Sequence, residues 1–324
     1  MIKKINNNNK ILVISHIADI DGMGSIVLAN KYYDNKIDYV LAEIMDLPVI
    51  FSNTDFSNYK TIYLCDLPIT PSTIKILDDH PTIIKKLKHF DHHISYQDDV
   101  PIYVNAISEL NGRKTCATEL FYNYLISLSD KLDKNFYKTY VEATREQDTW
   151  NFKEEEYNAK LLANTHAMIG PEAYIELINS LDENKDFKLP KIFDDLYKTD
   201  LEKQDRYIKY VDENLLITDY KNYKIGVTIS EQYRSIVGDE ICKLRPEIDF
   251  ILIINYSRNT VSLRCVKESI DLNKICLEFH KDGGGHKKAA GFIIDSESIP
   301  KIRKYKDKNK KINIFLFFYV VKLL

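Results

Sequence analysis

Leu87-Lys88-His89-Phe90-Asp91-His92-His93 decides the fold, because a short apolar run ends there in a carboxylate and two imidazoles. Two stretches upstream end in a similar way. Ile11-Leu12-Val13-Ile14 leads into Ser15-His16-Ile17-Ala18-Asp19-Ile20-Asp21-Gly22, and Thr61-Ile62-Tyr63-Leu64 leads into Cys65-Asp66-Leu67. Short runs rich in apolar, β-branched and aromatic residues read as buried strands. With Ile37 to Leu41 they make four such runs between Lys10 and Pro101, separated by amphipathic segments. That alternation predicts a parallel sheet with crossover helices. Open α/β sheets bind ligands outside the carboxyl ends of their strands. His16, Asp19, Asp21, Asp66, His92 and His93 are therefore expected in one crevice.

Carboxylate oxygens combined with imidazoles suit divalent ions. A pair of such ions about 3.5–4 Å apart needs several carboxylates, one of them bridging, and imidazoles to complete each shell. On this reading His16 and Asp19 hold one ion, Asp21 belongs to the other, and Asp66 from its separate strand bridges them. His92 and Asp148 complete the second ion, and His93 faces the substrate. Asp148 lies in Arg145-Glu146-Gln147-Asp148-Thr149-Trp150, at the end of a helix predicted over 136–147 and beside the single tryptophan. Gly22-Met23-Gly24-Ser25 opens a helix through Lys31 whose first amides are expected to face the crevice and favour an anion. An isolated Asp-His-His is a weak signal, and the ordered set of clusters is what gives it meaning. His80, His89, His166 and His280 belong to no cluster and read as surface or structural histidines. Cys65 and Cys116 read as small buried residues.

The length of 324 residues fits about two domains. A hydrophobic fraction of 44% is that of a folded chain, and a net charge of -3 disfavours a protein that coats long nucleic acid. Small or short anionic substrates fit better. Five cysteines without CxxC pairs argue against a disulfide framework, so a reduced, cytoplasmic setting is expected. Lys3 and Lys4 are followed by asparagines instead of an apolar core, which does not read as a secretory signal. Ile312 to Leu324 is apolar but shorter than the roughly 20 residues of a spanning helix, so no membrane partner is expected.

The organisation predicted is a metal-binding α/β domain over 10–150, a helical connecting region over 151–222, a smaller α/β domain over 223–300, and a basic, then apolar tail over 301–324. A core-facing helix is predicted over 116–128, where Leu120, Phe121, Tyr124, Leu125 and Leu128 recur at helical spacing. Strand-like runs return at Tyr223 to Ile229, Phe250 to Ile254 and Val261-Ser262-Leu263-Arg264. They are followed by Asp282-Gly283-Gly284-Gly285-His286-Lys287-Lys288-Ala289-Ala290-Gly291-Phe292, whose glycines let backbone approach a ligand closely.

Taken in order, these clusters closely resemble the DHH phosphoesterases that carry a C-terminal DHHA1 domain, a family that includes nanoRNase and oligoribonuclease-like phosphodiesterases. The resemblance covers residues 10 to 295, with family motifs at Ser15 to Gly22, Cys65-Asp66-Leu67, Phe90 to His93 and Gln147-Asp148-Thr149-Trp150. The second domain matches through Val261 to Arg264 and Gly283 to Gly291. The resemblance implies that His16, Asp19, Asp21, Asp66, His92 and Asp148 bind two divalent ions, usually manganese, with magnesium as the alternative. It implies that His93, Arg264 and His286 contact phosphate or nucleotide, with Gly283, Gly284 and Gly285 lining that pocket. Asp91 is expected to act through an imidazole, accepting its hydrogen bond and fixing its orientation.

The implied activity is manganese-dependent hydrolysis of phosphodiester bonds in short oligonucleotides or dinucleotides, by in-line attack of a water bridging the two ions. Arg264 suits phosphate because its planar fork donates two hydrogen bonds. No extended basic stripe is visible, so short substrates are preferred over long single strands or duplexes. The alternatives are a 3′-phosphoadenosine-type nucleotide phosphatase and a cyclic-dinucleotide phosphodiesterase. An inorganic pyrophosphatase and a non-catalytic nucleotide-binding relative rank lower. A homodimer is left open.

Overall fold

A computed structural model describes residues 11–93, 101–281, 283–296 and 298. Asp282 and the tail over 301–324 lie outside the described residues. The chain divides into two compact units, Met1–Tyr197 and Lys198–Leu324.

In the first unit β1 (Ile11–His16), α1 (Ile20–Tyr32), β2 (Asp38–Ala42), α2 (Leu47–Asn53), β3 (Thr61–Cys65), α3 (Pro71–Asp78), α4 (Pro81–Ile84) and β4 (Leu87–Phe90) follow one another. All four strands are parallel in the order β2-β1-β3-β4, with His16 opposite Ala42, Ser15 opposite Cys65, and Cys65 opposite Phe90. Alternate residues of the strands enter different cores. Val13, Tyr63 and Cys65 pack with Met23, Val27, Phe121 and Tyr137, whereas Leu12, Ile14, Ile62 and Leu64 pack with Leu47, Phe51 and Leu77. A sheet covered on both faces requires unbroken apolar strands, which is why the central strands β1 and β3 run apolar almost throughout, while the edge strand β4 leaves Lys88 exposed. Each fully buried Leu or Ile contributes about 1.5–3 kcal/mol. The chain leaves β1 for β2 on one side and then returns to β3 on the other, so the gap between β1 and β3 is the topological switch point of the sheet.

A short hairpin, β5 (Glu109–Leu110) and β6 (Arg113–Lys114), precedes the helical layer of α5 (Ala117–Leu128), α6 (Asn135–Thr149), α7 (Glu156–Ile169) and α8 (Pro171–Ser180). The division between the units falls inside α9 (Lys191–Glu213). In the second unit β7 (Leu216–Tyr220), β8 (Tyr223–Ile229), α10 (Arg234–Leu244), β9 (Phe250–Asn255), β10 (Thr260–Arg264), α11 (Leu272–Phe279), β11 (Gly284–Gly285) and β12 (Ala289–Ile293) build a six-stranded sheet ordered β11-β12-β10-β9-β8-β7. Val237 and Ile241 of α10 pack with Ile251 and Ile253, while Ile275 and Phe279 of α11 pack with Leu252 and Leu263.

One segment differs from the sequence reading. The stretch over 151–222 is helical only through Glu213, and Leu216–Tyr220 is an edge strand paired antiparallel with β8. Thr218, Ile217 and Tyr220 favour a half-buried strand, and the turn that pairs it needs only Lys221 and Asn222, with Lys221 at φ 53°. Among the described residues no helix is long and apolar enough to cross a membrane.

Candidate metal centre

Each strand of the first sheet delivers polar residues at its carboxyl end because the apolar run stops there. His16 is the last residue of β1, Asp66 follows β3, and Asp91, His92 and His93 follow β4. Asp66 has φ 56°, a left-handed conformation that Asp adopts more readily than most residues. Its amide still continues the sheet, donating to Phe90 O at 2.9 Å. Asp91 is fixed by backbone bonds to the next segment, from its N–H to Asn105 O at 3.3 Å and from Ile107 N–H to its own carbonyl at 2.8 Å.

Asp19 is the N-cap of α1, its carboxylate accepting from the amides of Asp21 and Gly22, both at 3.1 Å. A Cβ on Gly22 would lie 2.1 Å from His16 O, so only glycine lets the helix start this close to the end of β1. Asp21, in the first turn of α1, is 1% exposed and accepts from Ala117 N at 2.8 Å and Thr118 N at 2.7 Å. Those amides open α5, where the helix dipole favours a negative charge. Thr118 Oγ1 also donates to Asp21 O at 2.6 Å. Asp148 comes from the last turn of α6, which ends at Trp150 with φ 52°.

The side chains converge. His16 Nδ1 lies 3.2 Å from Asp19 Oδ2 and 3.4 Å from Asp66 Oδ2. His92 Nε2 lies 3.4 Å from Asp66 Oδ1, 3.5 Å from Asp148 Oδ2 and 3.9 Å from Asp21 Oδ2. Asp66 thus turns one oxygen toward the His16 group and the other toward the His92 group. His93 Nδ1 is 2.7 Å from Asp91 Oδ1, and its side chain is 36% exposed. Among the described residues three sets have ligand atoms within 4.8 Å of one another: His16, Asp19 and Asp66; Asp21, His92 and Asp148; and Asp66, His92 and His93. His16 Nδ1, Asp66 Oδ2, His92 Nε2 and Asp148 Oδ2 are buried and make no hydrogen bond. A small dication that holds its ligands at about 2.1 Å sets neighbouring ligand atoms roughly 3 Å apart, so the donor set and its spacing fit such ions.

In the second unit, Arg264 ends β10 opposite Ala289, and Gly285 lies opposite Ala290. The arginine and the glycine run therefore flank the same end of β12. Arg264 Nη1 donates to Leu263 O at 2.9 Å and Nη2 to Ser235 Oγ at 3.2 Å. Burial, with Arg234 nearby, pushes its pKa down. Gly283 is buried, Gly284 and Gly285 form β11, and His286 is exposed. Gly285 N donates to Asn273 Oδ1 at 3.1 Å.

No family model matches the chain. It is 25% identical over 293 residues to oligoribonuclease NrnB of Bacillus subtilis, covering 86% of this chain and 72% of that one. Among solved structures, RecJ from Thermus thermophilus in complex with Mn2+ superposes with a TM-score of 0.64 at 13% identity, over 92% of this chain and 51% of RecJ, so the chain spans about half of that protein. A DHH domain described as a member of a ribosomal-protein family superposes with a TM-score of 0.62 at 15% identity, over 93% of this chain and 88% of that one. The chain has the DHH-family fold.

Within this DHH-type fold the clustered carboxylates set one another's protonation. Burial pushes Asp66 well up, and the neighbouring Asp19 and Asp21 add to it. Burial also raises Asp148, with Asp21 adding and His92 opposing. Burial alone would lower His16, but the carboxylates of Asp19 and Asp66, 3.2 and 3.4 Å from Nδ1, outweigh it and lift the imidazole to about 11. Asp19 moves the opposite way, to about 2, because His16 outweighs its burial. His93 is raised, since Asp91 outweighs the cost of burying an imidazolium. A metal-free cluster of this kind holds protons where bound dications would compete for the same lone pairs.

Several groups near this DHH-type site carry no sequence signal. Glu43, just after β2, puts Oε2 3.4 Å from His16 Nε2. The α1 amides, expected to face an external anion, are taken by Asp19 of the chain itself. His166, half-buried in α7, has an Nε2 with no hydrogen-bond partner and its ring edge-on to Tyr174. His89, in contrast, is satisfied: Nε2 pairs with Leu67 O at 3.0 Å and Nδ1 accepts from Asn105 N at 3.0 Å. Cys65 and Cys116 are buried, and burial raises both thiols, which rules out a ready nucleophile at either.

Proposed function

We propose that the chain hydrolyses phosphodiester bonds in short oligonucleotides with two divalent ions, manganese in first place. The observation that carries this reading is the placement of Asp66, whose two oxygens are each 3.4 Å from an imidazole belonging to a different ligand group. In this reading His16, Asp19 and Asp66 hold one ion, and Asp21, His92, Asp148 and Asp66 hold the other. The similarity to an oligoribonuclease over most of both chains supports nucleic acid as the substrate class. Dications bound there supply Lewis acidity and bring the pKa of a coordinated water toward neutrality.

The chain's own residues perform the remaining tasks. Asp91, 1% exposed, accepts from His93 Nδ1 and so fixes the ring. It also favours the imidazolium, which then has Nε2–H to donate to a phosphoryl oxygen as charge develops. The amides of Ala117 and Thr118 hold the Asp21 carboxylate in place, which lowers the cost of organising the site when ions bind. Arg264 and His286, with the run Gly283, Gly284 and Gly285 beside them, are proposed to take a phosphate of the substrate, the guanidinium through its planar fork.

The test is a manganese-supplemented panel of an RNA trimer, linear and cyclic diadenylate, a 3′,5′-bisphosphate nucleotide, pyrophosphate and long single-stranded DNA. Fastest loss of the trimer and linear dinucleotide, abolished by EDTA, is the expected result. Turnover confined to pyrophosphate or to the bisphosphate nucleotide would replace this reading.

A further inference from the structure

We infer that Glu43 is a positioning residue that holds the His16 imidazole with Nδ1 toward the ion position of Asp19 and Asp66, an inference that rests on the two-ion reading above. The register of the sheet puts it there. β1 and β2 run parallel with His16 opposite Ala42, and Ile17 N donates to Ala42 O at 3.1 Å, so the next residue, Glu43, emerges beside His16 at the same sheet edge. Its backbone is fixed by the 3-10 turn Ile44–Asp46, in which Glu43 N donates to Asp46 Oδ2 at 2.9 Å.

Both nitrogens of His16 face carboxylates. Nδ1 is 3.2 Å from Asp19 Oδ2 and 3.4 Å from Asp66 Oδ2, while Nε2 is 3.4 Å from Glu43 Oε2. The two lone-pair directions of an imidazole diverge, and Glu43 is not a member of the group formed by His16, Asp19 and Asp66. A neutral imidazole donates from one nitrogen and offers a lone pair from the other. A carboxylate at Nε2 keeps the N–H on that side, which leaves the Nδ1 lone pair for an ion and fixes the plane of the ring. The same pairing occurs at His93 with the nitrogens exchanged, Nδ1 lying 2.7 Å from Asp91 Oδ1 and Nε2 left for other work. Glu43 is 58% exposed, so its removal opens no cavity.

The experiment titrates EDTA-stripped full-length chain with MnCl2 alone, read by loss of the free-ion EPR signal, for the native chain, Glu43→Ala and Glu43→Gln, with metal-free thermal midpoints alongside. The native chain should bind two ions, and Glu43→Ala should weaken one of them about 10- to 100-fold while leaving the metal-free midpoint unchanged. Glu43→Gln, whose amide oxygen accepts the same N–H, should recover most of the loss. An unchanged Glu43→Ala isotherm overturns the role of Glu43 while leaving the two-ion reading intact. Equal damage from Gln and Ala also overturns it, since Glu43 would then be an ion ligand itself. Absence of manganese binding by the native chain overturns the two-ion reading and this inference with it.

Discussion

Replacing Asp66 by Asn should stabilise the metal-free chain and remove its stabilisation by manganese. Asn occupies the same volume and tolerates the φ of 56° at this position, so neither packing nor backbone strain changes. What changes is charge. Burial, with Asp19 and Asp21 beside it, makes a charge on Asp66 costly in the metal-free fold: two like charges within 4.8 Å repel by about 3.5 kcal/mol at an effective dielectric of about 20, and the fold bears the cost either of that charge or of the proton that replaces it. His16 offsets part of this, and Asp19 is 46% exposed, which leaves about 1–2 kcal/mol after screening. In a unit of this size that corresponds to a rise of about 2–8 °C in the metal-free midpoint. The native chain should gain about 2.7 kcal/mol from manganese at a hundred times its dissociation constant, and the variant should gain little. Differential scanning calorimetry at pH 8, in EDTA and again in manganese, measures both. A variant that is less stable in EDTA and still gains fully from manganese would refute the reasoning, because Asp66 would then be a structural carboxylate.

Further predictions concern protons, the imidazole and the anion grip. His16, raised to about 11 in the fold, contributes stability that is fully present below its ordinary value of 6.5 and is lost as pH climbs toward 11. Asp66 acts in the same direction, since above ordinary carboxyl values the folded chain keeps a proton that the unfolded chain has lost. The urea midpoint in EDTA should therefore fall between pH 7 and 10, and a flat profile would contradict this. Manganese binding should release protons from His16, Asp66 and Asp148, so calorimetric heats should differ between PIPES and Tris and affinity should be higher at pH 8 than at pH 6; identical heats would count against the assigned ligands. His93→Gln should lower kcat about 10²- to 10³-fold and Asp91→Asn about 10- to 100-fold, with manganese affinity nearly native in both, which single-turnover cleavage and EPR titration would check. Arg264→Lys should raise KM about tenfold with a smaller effect on kcat, as expected when a bidentate fork becomes a point charge.

The strands and the principal cluster are legible in the sequence because one physical constraint governs both. A parallel sheet buried on two faces needs unbroken apolar runs, so the first polar residue after each run marks the carboxyl edge, and His16, Asp66 and Asp91 are those residues or lie within one position of them. Leu216–Tyr220 escapes such a reading because only Asn214 and Leu215 separate it from α9, with no glycine or proline to mark the break. The Ala117 and Thr118 amides that hold Asp21 are invisible to side-chain reasoning, being backbone groups 96 and 97 residues away. Glu43 looks like any surface glutamate, since nothing but the register His16 opposite Ala42 brings it to the site. The anion expected at the start of α1 is the chain's own Asp19, a residue already assigned a different task.

The most direct test of the central claim is to strip the chain with EDTA and restore manganese in stoichiometric steps while following cleavage of a fluorescent RNA trimer. The account predicts no cleavage without metal, and a rate that rises with added manganese and breaks at two ions per chain. Cleavage that persists in EDTA, or a chain that binds manganese yet leaves the trimer intact at every step, would contradict it.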